Sequence, residues 1–343
     1  MALHPAFQLD EESSEALLEL LEQTVLGTNG ARYRHLDTVE KIKECDNLLH
    51  LSLERGGKLQ GNISFCRRQA NWYIRYFAFA ESSQASGTEK ASRRRDGLLK
   101  RELREFFSAV FAGEYGEKVA AFYAYIDPKN VRSIWMSENF GFQTIGHIAT
   151  QTFSRVRPKA STQVQLLSDW KEIAEVHAAH FGRQNFYTAV QAQKGPWYVL
   201  RTLSGEIVAG ARFYQARWQF QRLPGKWGGV LTRWMPWIPG MRKIIRPNDH
   251  QFLVPEGVFA RNHDPRLLEQ LFEGMLAAEK MNLLLWWVDE KDELYKAARS
   301  KVKWGLLHRS IGVHRADVVC LRPDGTYAQL REQCTYTIGL DFI

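Results

Sequence analysis

The chain has 343 residues, of which 45% are hydrophobic and 24% are charged, and its formal net charge is +8. This length favours two domains of roughly 150 to 180 residues each, and the basic excess favours anionic partners such as cofactor phosphates, nucleic acid or a membrane surface. The four cysteines are scattered, without C-x-x-C or a metal-like spacing to histidine, which argues against a disulfide framework and a metal site. Because neither a signal peptide nor a membrane-spanning apolar run is evident, we expect a cytoplasmic protein.

The first half of the chain predicts two helices and a sheet, followed by a helix, a buried strand and a further short helix. The apolar spacing indicates helices, and the apolar runs bounded by turn residues indicate strands. The predicted helices are 11–23, Thr38–Cys45, Gly97–Phe111 and a short one after Asp127; the predicted strands are 48–55, 59–68, Asn71–Ala80 and Val119–Ile126, with two more running to Val156. The polar stretch Ser82–Arg95 is predicted to be a mobile loop.

The order of elements then starts again after a linker at Arg157–Ser161, with helices predicted at Asp169–Phe181 and from about Gln184 to Gln193. A hairpin segment of the first half, GKLQGNISF, matches GEIVAGARF of the second with one residue inserted, which indicates an internal duplication. We therefore predict two domains, residues 1–156 and 161–343. The second contains an insertion at about 217–248.

The clearest motif lies between the strand Val119–Ile126 and a new strand that begins at Phe142. Asn130 and Ser133 stand where side chains cap the first turn of a helix, and Gly141 stands where a left-handed residue ends it. The spelling N-x-x-S-x-x-M-x-E-x-x-G-F resembles the last conserved motif of the GNAT superfamily of acyl-CoA N-acyltransferases. The resemblance covers roughly residues 45 to 150 in the right order of elements. It implies an α/β (α+β) fold of two tandem GNAT-like domains, each a mixed, mostly antiparallel sheet flanked by helices.

The resemblance also implies a place for an acyl-CoA, either acetyl-CoA or a longer one, with no metal. Phe77, Ala78 and Phe79 would end a strand that splays from its neighbour and pairs with the pantetheine arm. The family's pyrophosphate turn would correspond to Arg94, Arg95, Asp96, Gly97, Leu98 and Leu99. A helix N-terminus with basic neighbours suits a pyrophosphate, but Leu99 departs from the family's small residue.

Asn130 would lie beside the pantetheine or the thioester, as both a catalytic and a cofactor-binding residue, and Ser133 would cap the helix near it at the cofactor site. Glu81 is the one base predicted for the attacking amine, with an exposed loop carboxylate as the alternative reading. Family members often carry a tyrosine general acid where this chain has Ser137, so Tyr123 and Tyr125 are the possible substitutes.

The second half lacks the glycine turn and the Asn and Ser of the motif, which suggests a copy degenerate for cofactor binding. Its insertion has no acidic residue between Glu206 and Asp249, eight basic residues and four interleaved tryptophans. Three readings stay open: peripheral membrane contact through 217–246, a groove for single-stranded nucleic acid, or a lid whose tryptophans pack on the core.

The predicted function is transfer of an acyl group, first of all acetyl, from acyl-CoA to an amine by direct attack on the thioester. Two alternatives remain. One is a tandem-GNAT transferase that uses aminoacyl-tRNA as its donor. The basic surface favours tRNA binding, and such an enzyme would not need the intact pyrophosphate turn that Leu99 disturbs. The other is a non-catalytic module that binds acyl-CoA or another ligand.

Overall fold

A computed structural model describes residues 3–27, 31–80, 89–167, 169–223, 228–234, 237–238 and 240–343, with the backbone alone at 89–99, 191 and 231. Its strands, numbered in chain order, form one mixed sheet. They are β1 (Phe7–Asp10), β2 (Arg32–His35), β3 (Leu48–Arg55), β4 (Lys58–Arg68), β5 (Asn71–Phe79), β6 (Ala121–Ile126), β7 (Gln143–Ser154), β8 (Val164–Leu166), β9 (Trp197–Arg201), β10 (Ile207–Arg222), β11 (His250–Ala260), β12 (Leu283–Asp289) and β13 (His314–Leu321).

The helices lie against this sheet and are named in the same way. They are α1 (Glu15–Gln23), α2 (Thr38–Glu44), α3 (Glu89–Ala112), α4 (Val131–Asn139), α5 (Lys171–Phe181), α6 (Ala189–Ala192), α7 (Gly228–Trp234), α8 (Met241–Ile244), α9 (Pro265–Ala278), α10 (Glu293–Ala298), α11 (Leu306–Ile311) and α12 (Ala328–Glu332). In the described part of the chain, one 3₁₀ turn follows β11 at Arg261–His263 and another lies near the C-terminus at Gly339–Phe342.

The strand pairing repeats between the two halves of the chain. In each half an antiparallel hairpin (β3–β4 and β9–β10) is followed by an antiparallel third strand and a parallel fourth strand. This repetition is what an internal duplication predicts, and the mixed, mostly antiparallel sheet matches the predicted fold class.

The two halves are interlocked rather than side by side. The sheet order is β1-β3-β4-β5-β6-β13-β7-β12-β11-β10-β9-β8, so β13 of the second half lies between β6 and β7 of the first. In return, β2 of the first half pairs with β10 of the second. The sheet therefore continues across the predicted boundary near residues 156–161, and that boundary stays a prediction about the sequence alone.

Helix α3 covers the first half of the sheet with an apolar face. Leu103, Phe106 and Phe107 are buried and pack against Phe65 and Phe122 of the strands below. Burying a large apolar side chain of this kind contributes roughly 1.5 to 3 kcal/mol. The helical apolar spacing noted in the sequence is therefore the contact that fixes α3 on the sheet.

Three local predictions are wrong. Residues 89–95 belong to α3 rather than to a loop, while 81–88 lie outside the described residues. The two strands predicted up to Val156 are one long strand, β7, and the helix predicted after Phe181 is reduced to α6. Within the part of the chain that the structure describes, no helix has the length and apolarity that a membrane span requires.

Candidate active site

The sheet opens between two neighbouring strands of the first half. β5 and β6 pair in parallel only at Asn71–Ala121, Trp72–Phe122 and Tyr73–Tyr123, although β5 continues to Phe79 and β6 to Ile126. Beyond Tyr73 the edge of β5 that faces β6 has no strand partner among the described residues, while its other edge stays paired with β4. This V-shaped gap, here called the first wedge, is the splay predicted at Phe77–Phe79.

A cavity reaches the first wedge from the side of helices α3 and α4. Leu103 and Phe107 of α3 line it, together with Met136 of α4 and Phe140, the residue that follows α4. Ser133 and Ser137 add two hydroxyl groups to this mostly apolar wall. The cavity is therefore shaped for a largely apolar chain with a few polar contacts.

The predicted motif builds the wall that α4 contributes. The Asn130 side chain caps α4 by accepting a hydrogen bond from the Ser133 backbone N–H at 3.2 Å. Gly141 ends the helix with φ +87°, a left-handed conformation that favours glycine. Ser137 donates to the Ile134 carbonyl oxygen at 2.8 Å, so its hydroxyl hydrogen is already engaged within the helix.

A second cavity reaches the first wedge from the other side. Its wall comes from α1, α2, β2 and the 3₁₀ turn that ends the chain, and includes Tyr33, His35 and Phe342. Arg75, Phe77 and Tyr125 line both cavities, because they stand on the splayed strands between them. The two cavities therefore meet at the first wedge.

A buried polar cluster lies beside the second cavity. The Arg68 guanidinium pairs with both oxygens of the Asp341 carboxylate and donates to Tyr123 Oη at 2.7 Å. Tyr73 Oη donates to the Asp341 backbone oxygen at 2.9 Å. Arg75 donates to the backbone oxygens of residues 340 and 343. This cluster fixes the 3₁₀ turn against β5.

Several polar atoms at the second cavity are buried without a hydrogen-bond partner in the described part of the chain. They include Tyr125 Oη, Tyr76 Oη and His35 Nε2. Burial raises the pKa of Tyr125 well above its ordinary value, and burial followed by the Arg75 charge lowers the pKa of His35 to about 3. At neutral pH the site thus holds protonated phenols and a neutral imidazole. Unpaired buried groups of this kind are expected where a ligand binds.

The second half has an equivalent gap, but the chain itself fills it. β11 and β12 are in register only at Leu253–Leu284 and then diverge. Thr335 donates its backbone N–H to Asp289 Oδ2 at 2.8 Å, and Thr337 donates its hydroxyl to the Trp287 carbonyl oxygen at 2.7 Å. Between them the Tyr336 side chain is fully buried and donates to Glu256 at 3.2 Å. Residues 335–337 therefore occupy the place that stays open in the first wedge.

Comparison with solved structures gives the fold. Saccharomyces cerevisiae N-myristoyltransferase with bound myristoyl-CoA superposes with a TM-score of 0.56 at 10% identity, over 98% of this chain and 90% of that one. A tandem GNAT protein from the clavulanic acid biosynthesis pathway superposes with a TM-score of 0.51 at 10% identity, over 92% of this chain and 98% of that one. No family model and no curated protein matches the chain.

The chain has the GNAT fold. At these identities the similarity establishes the fold alone. Any reaction has to be argued from the residues of the site. Both superpositions run through almost the whole chain, so they include strands of both halves.

The GNAT-based site predictions fall into three groups. Phe77 and Ser133 line the wedge cavities, Ala78 lines the second cavity, and Asn130 caps α4 beside them. The Phe79 ring packs against Phe77 instead, with ring centroids 5.0 Å apart. Glu81 lies outside the described residues, and its role as a base stays a prediction.

The predicted pyrophosphate turn is not a turn. Arg94, Arg95, Asp96, Gly97, Leu98 and Leu99 lie inside α3, which begins at Glu89. Amides in the interior of an α-helix are bonded to carbonyls one turn earlier, so they are not free to cradle a phosphate. A role for this stretch in cofactor binding stays a prediction, but not through a backbone turn.

Sequence reasoning missed the groups that the far end of the chain brings to the wedge. Asp341 and Phe342 contact residues more than half the chain length away, and no local pattern marks them. Phe342 stacks between Tyr125 and Trp287, at ring-centroid distances of 4.6 and 4.8 Å. Arg75 carried a usable signal, because a charged residue within an apolar strand needs a buried partner, whereas Arg68 ends β4 beside Arg67 and carries no such signal.

Proposed function

We propose that the protein is an acyl-CoA-dependent N-acyltransferase that transfers an acyl group to an amine by direct attack on the thioester. One observation carries the proposal: the GNAT sheet is open at the first wedge, and two cavities meet there. The fold similarity to N-myristoyltransferase with bound myristoyl-CoA supports it. The acyl-CoA belongs to the first wedge, because the corresponding gap of the second half is filled by Thr335–Thr337.

The pantetheine arm would pass along the unpaired edge of β5, where backbone groups between Ile74 and Phe79 face the gap. Its path begins in the cavity of α3 and α4 and ends at Tyr125, between the two cavities. The amine would then approach from the cavity lined by Tyr33 and His35. Donor and acceptor thus meet from opposite sides of the wedge, which holds them in a reactive geometry.

Tyr125 is the best-placed general acid. The amine nitrogen bonds to the thioester carbon and loses a proton to the base, for which Glu81 stays the prediction; the C–S bond then breaks and the departing sulfur takes a proton. Tyr125 Oη is buried, protonated and without a hydrogen-bond partner among the described residues. Tyr123, the other substitute for the missing family tyrosine, is already bonded to Arg68 and stacked on Phe186 at 3.9 Å.

His35 would position the attacking amine. Its Nε2 atom is buried and has no hydrogen-bond partner among the described residues. The His35 ring lines the second cavity, from which the amine would approach. The lowered pKa keeps the imidazole neutral, so it neither repels an approaching ammonium nor carries its own excess proton. A neutral imidazole nitrogen can accept a hydrogen bond from the amine.

The test is acyl-CoA binding by a variant that blocks the first wedge. Ser133 lines the cavity and Arg132, its neighbour on α4, is exposed. We expect acyl-CoA to raise the melting temperature of the parent protein and of Arg132→Trp, but not of Ser133→Trp. Acetyl-CoA is the first donor to test, with longer acyl-CoAs beside it. Mass spectrometry with a panel of amines then detects the amide product.

Other outcomes separate the alternatives. Stabilisation by acyl-CoA without any amide product would favour the non-catalytic binding module. A protein that ignores every acyl-CoA but binds tRNA in a salt-dependent way would favour the aminoacyl-tRNA-dependent transferase. Equal acyl-CoA binding by Ser133→Trp and Arg132→Trp would show that the first wedge is not the site.

A further inference from the structure

One short segment of the second half exposes large apolar side chains to water. The described residues 228–234, 237–238 and 240–246 are here called the Trp–Arg segment; in it Trp234 is 63% and Trp237 is 81% exposed. Val230 and Ile238 beside them are about half exposed. Isolated exposed apolar residues are ordinary, but a group of large ones in one segment marks an interaction site.

Buried side chains and hydrogen bonds hold the Trp–Arg segment on the body of the protein, so its exposed tryptophans belong to a fixed surface. Met241, Ile244 and Ile245 are buried in the main hydrophobic core. Thr232 Oγ1 accepts a hydrogen bond from the Leu223 backbone N–H at 2.8 Å and donates to the Gly228 carbonyl oxygen at 2.7 Å. The reading in which all the tryptophans pack on the core as a lid is wrong for Trp234 and Trp237, whereas Trp218 is buried. Lys226 and Trp227 lie outside the described residues.

The charges of the segment are of one sign. No acidic residue occurs between Glu206 and Asp249. The exposed basic side chains of the described residues at and beside the segment are Arg222, Arg233, Arg242, Lys243 and Arg246. Basic side chains beside exposed tryptophan and aliphatic residues are the composition of interfacial membrane anchors.

We propose that the Trp–Arg segment docks on the headgroup region of an anionic lipid bilayer. The basic side chains are attracted to the negative surface potential, and the tryptophan rings lie at the headgroup level. Val230 and Ile238 favour a bilayer over single-stranded nucleic acid. Aliphatic side chains gain from entering the acyl boundary but offer no ring on which a base can stack.

The Trp–Arg segment follows β10 in the chain, and β10 packs against residues that line the second cavity. Trp218 of β10 stacks on Tyr33 with ring centroids 4.0 Å apart, and on His35 at 5.4 Å. Tyr33 and His35 line that cavity. Docking would therefore hold the acceptor side of the wedge close to the bilayer, a consequence that rests on the proposed function.

Vesicle flotation tests the docking. The probes are vesicles of phosphatidylcholine alone and vesicles of equal parts phosphatidylcholine and phosphatidylglycerol. We expect the parent protein to float with the anionic vesicles and not with the neutral ones. In Trp234→Ser/Trp237→Ser the affinity should fall by about tenfold or more, because two apolar side chains no longer enter the interface. Leu203→Ser, a change at an exposed apolar residue of a hairpin turn, is the control.

The charge contribution has its own pair of variants. Arg242→Glu/Lys243→Glu should weaken anionic-vesicle binding by about fivefold or more for each residue changed. This loss of affinity should be smaller at high salt, because salt screens the attraction between the charges. Lys301→Glu/Arg309→Glu changes the same charges at other exposed positions and should bind as the parent does.

Three results would overturn the proposal: no flotation with anionic vesicles, equal flotation with both vesicles, or retained flotation in both segment variants. Binding to a single-stranded oligonucleotide that the tryptophan variant loses, with vesicle binding unaffected, would assign the surface to nucleic acid instead. Acyl-CoA binding measured without vesicles keeps the proposed function separate. A parent protein that binds acyl-CoA but does not float would overturn only the docking proposal. A parent protein that floats but binds no acyl-CoA would overturn only the proposed function of the first wedge.

Discussion

The Arg68 guanidinium and the Asp341 carboxylate form a buried two-point ion pair that joins residues 273 positions apart. The Asp341 side chain is fully buried and that of Arg68 nearly so. The pair ties the last 3₁₀ turn to the end of β4, which pairs with the edge of β5 that faces away from the first wedge. Taking two charges out of water is expensive, so the pair is stable only while both partners are present.

Asp341→Asn is expected to destabilise the protein by roughly 3 to 5 kcal/mol, because the Arg68 cation stays buried without its counter-charge. Urea denaturation measures the loss. The matched control is Asp249→Asn, which breaks the half-exposed pair with Arg217 and should change the free energy of unfolding by less than about 1 kcal/mol. Equal losses in the two variants would mean that the buried pair contributes nothing special.

Tyr125→Phe should separate catalysis from folding. It removes a hydroxyl that has no partner among the described residues, so the free energy of unfolding should not fall. If Tyr125 protonates the leaving thiolate, kcat should drop by about 100-fold while acyl-CoA binding is retained. The release of CoA thiol with the best amine of a panel provides the rate.

Tyr295→Phe is the control for that variant. Tyr295 is also buried, but it packs against Trp286 of the second half and lines neither wedge cavity. Its kcat should match the parent's. A normal kcat in Tyr125→Phe would remove Tyr125 from the mechanism.

Four buried histidines predict that the protein loses stability in acid. Burial is the first cause in each case, and it lowers the pKa to about 3 at His35, His177 and His250 and to about 4 at His50. Above the ordinary value of 6.5 neither the folded nor the unfolded chain protonates them. Below it the unfolded chain binds the extra protons, so the free energy of unfolding falls as the pH decreases towards the folded pKa. Each histidine contributes about 1.4 kcal/mol per pH unit in that window.

His250→Gln tests this with a defined change of slope. Buried acids whose pKa is raised by burial, such as Glu256 and Asp289, act in the opposite sense, so the difference between variant and parent is the quantity to compare. Denaturation at a series of pH values should give a slope lower by about 1.4 kcal/mol per pH unit in His250→Gln.

Two left-handed glycines predict different penalties for the same substitution. Gly141 has φ +87°, and a Cβ there would meet nothing closer than Leu321 at 3.6 Å. Gly257 has φ +58°, and a Cβ would lie 2.7 Å from His177 Nε2 and 2.8 Å from the Trp197 ring. Gly141→Ala should cost about 1 to 2 kcal/mol from the backbone alone. Gly257→Ala should cost clearly more, since a buried ring must shift; equal losses in thermal denaturation would contradict the steric reasoning.

The local features of this fold could be predicted from the sequence because their signals are local. The capping pattern at Asn130 and Ser133 gave α4, and the glycine at 141 gave its end. The start of α3 was missed although Glu89 and Lys90 favour a helix start, because the serines and arginines around them also suit a loop.

The long-range features could not be predicted in this way. Nothing in His314–Leu321 says that this strand lies between β6 and β7, since any apolar strand has the same appearance to a local pattern. The site has the same limit: the motif gave the α4 wall of the wedge, but the facing wall comes from Asp341 and Phe342. The filling of the second gap by Thr335–Thr337 likewise depends on tertiary contacts.

The position of β13 has a consequence for the order in which the protein is made. β6 and β7 leave the ribosome early, but the strand that joins them is residues 314–321. At typical synthesis rates β13 emerges roughly 10 to 30 s after β7. During that interval two inner strand edges of the first half are unpaired, so the nascent chain is open to aggregation and to chaperones. The first half alone should not complete its fold.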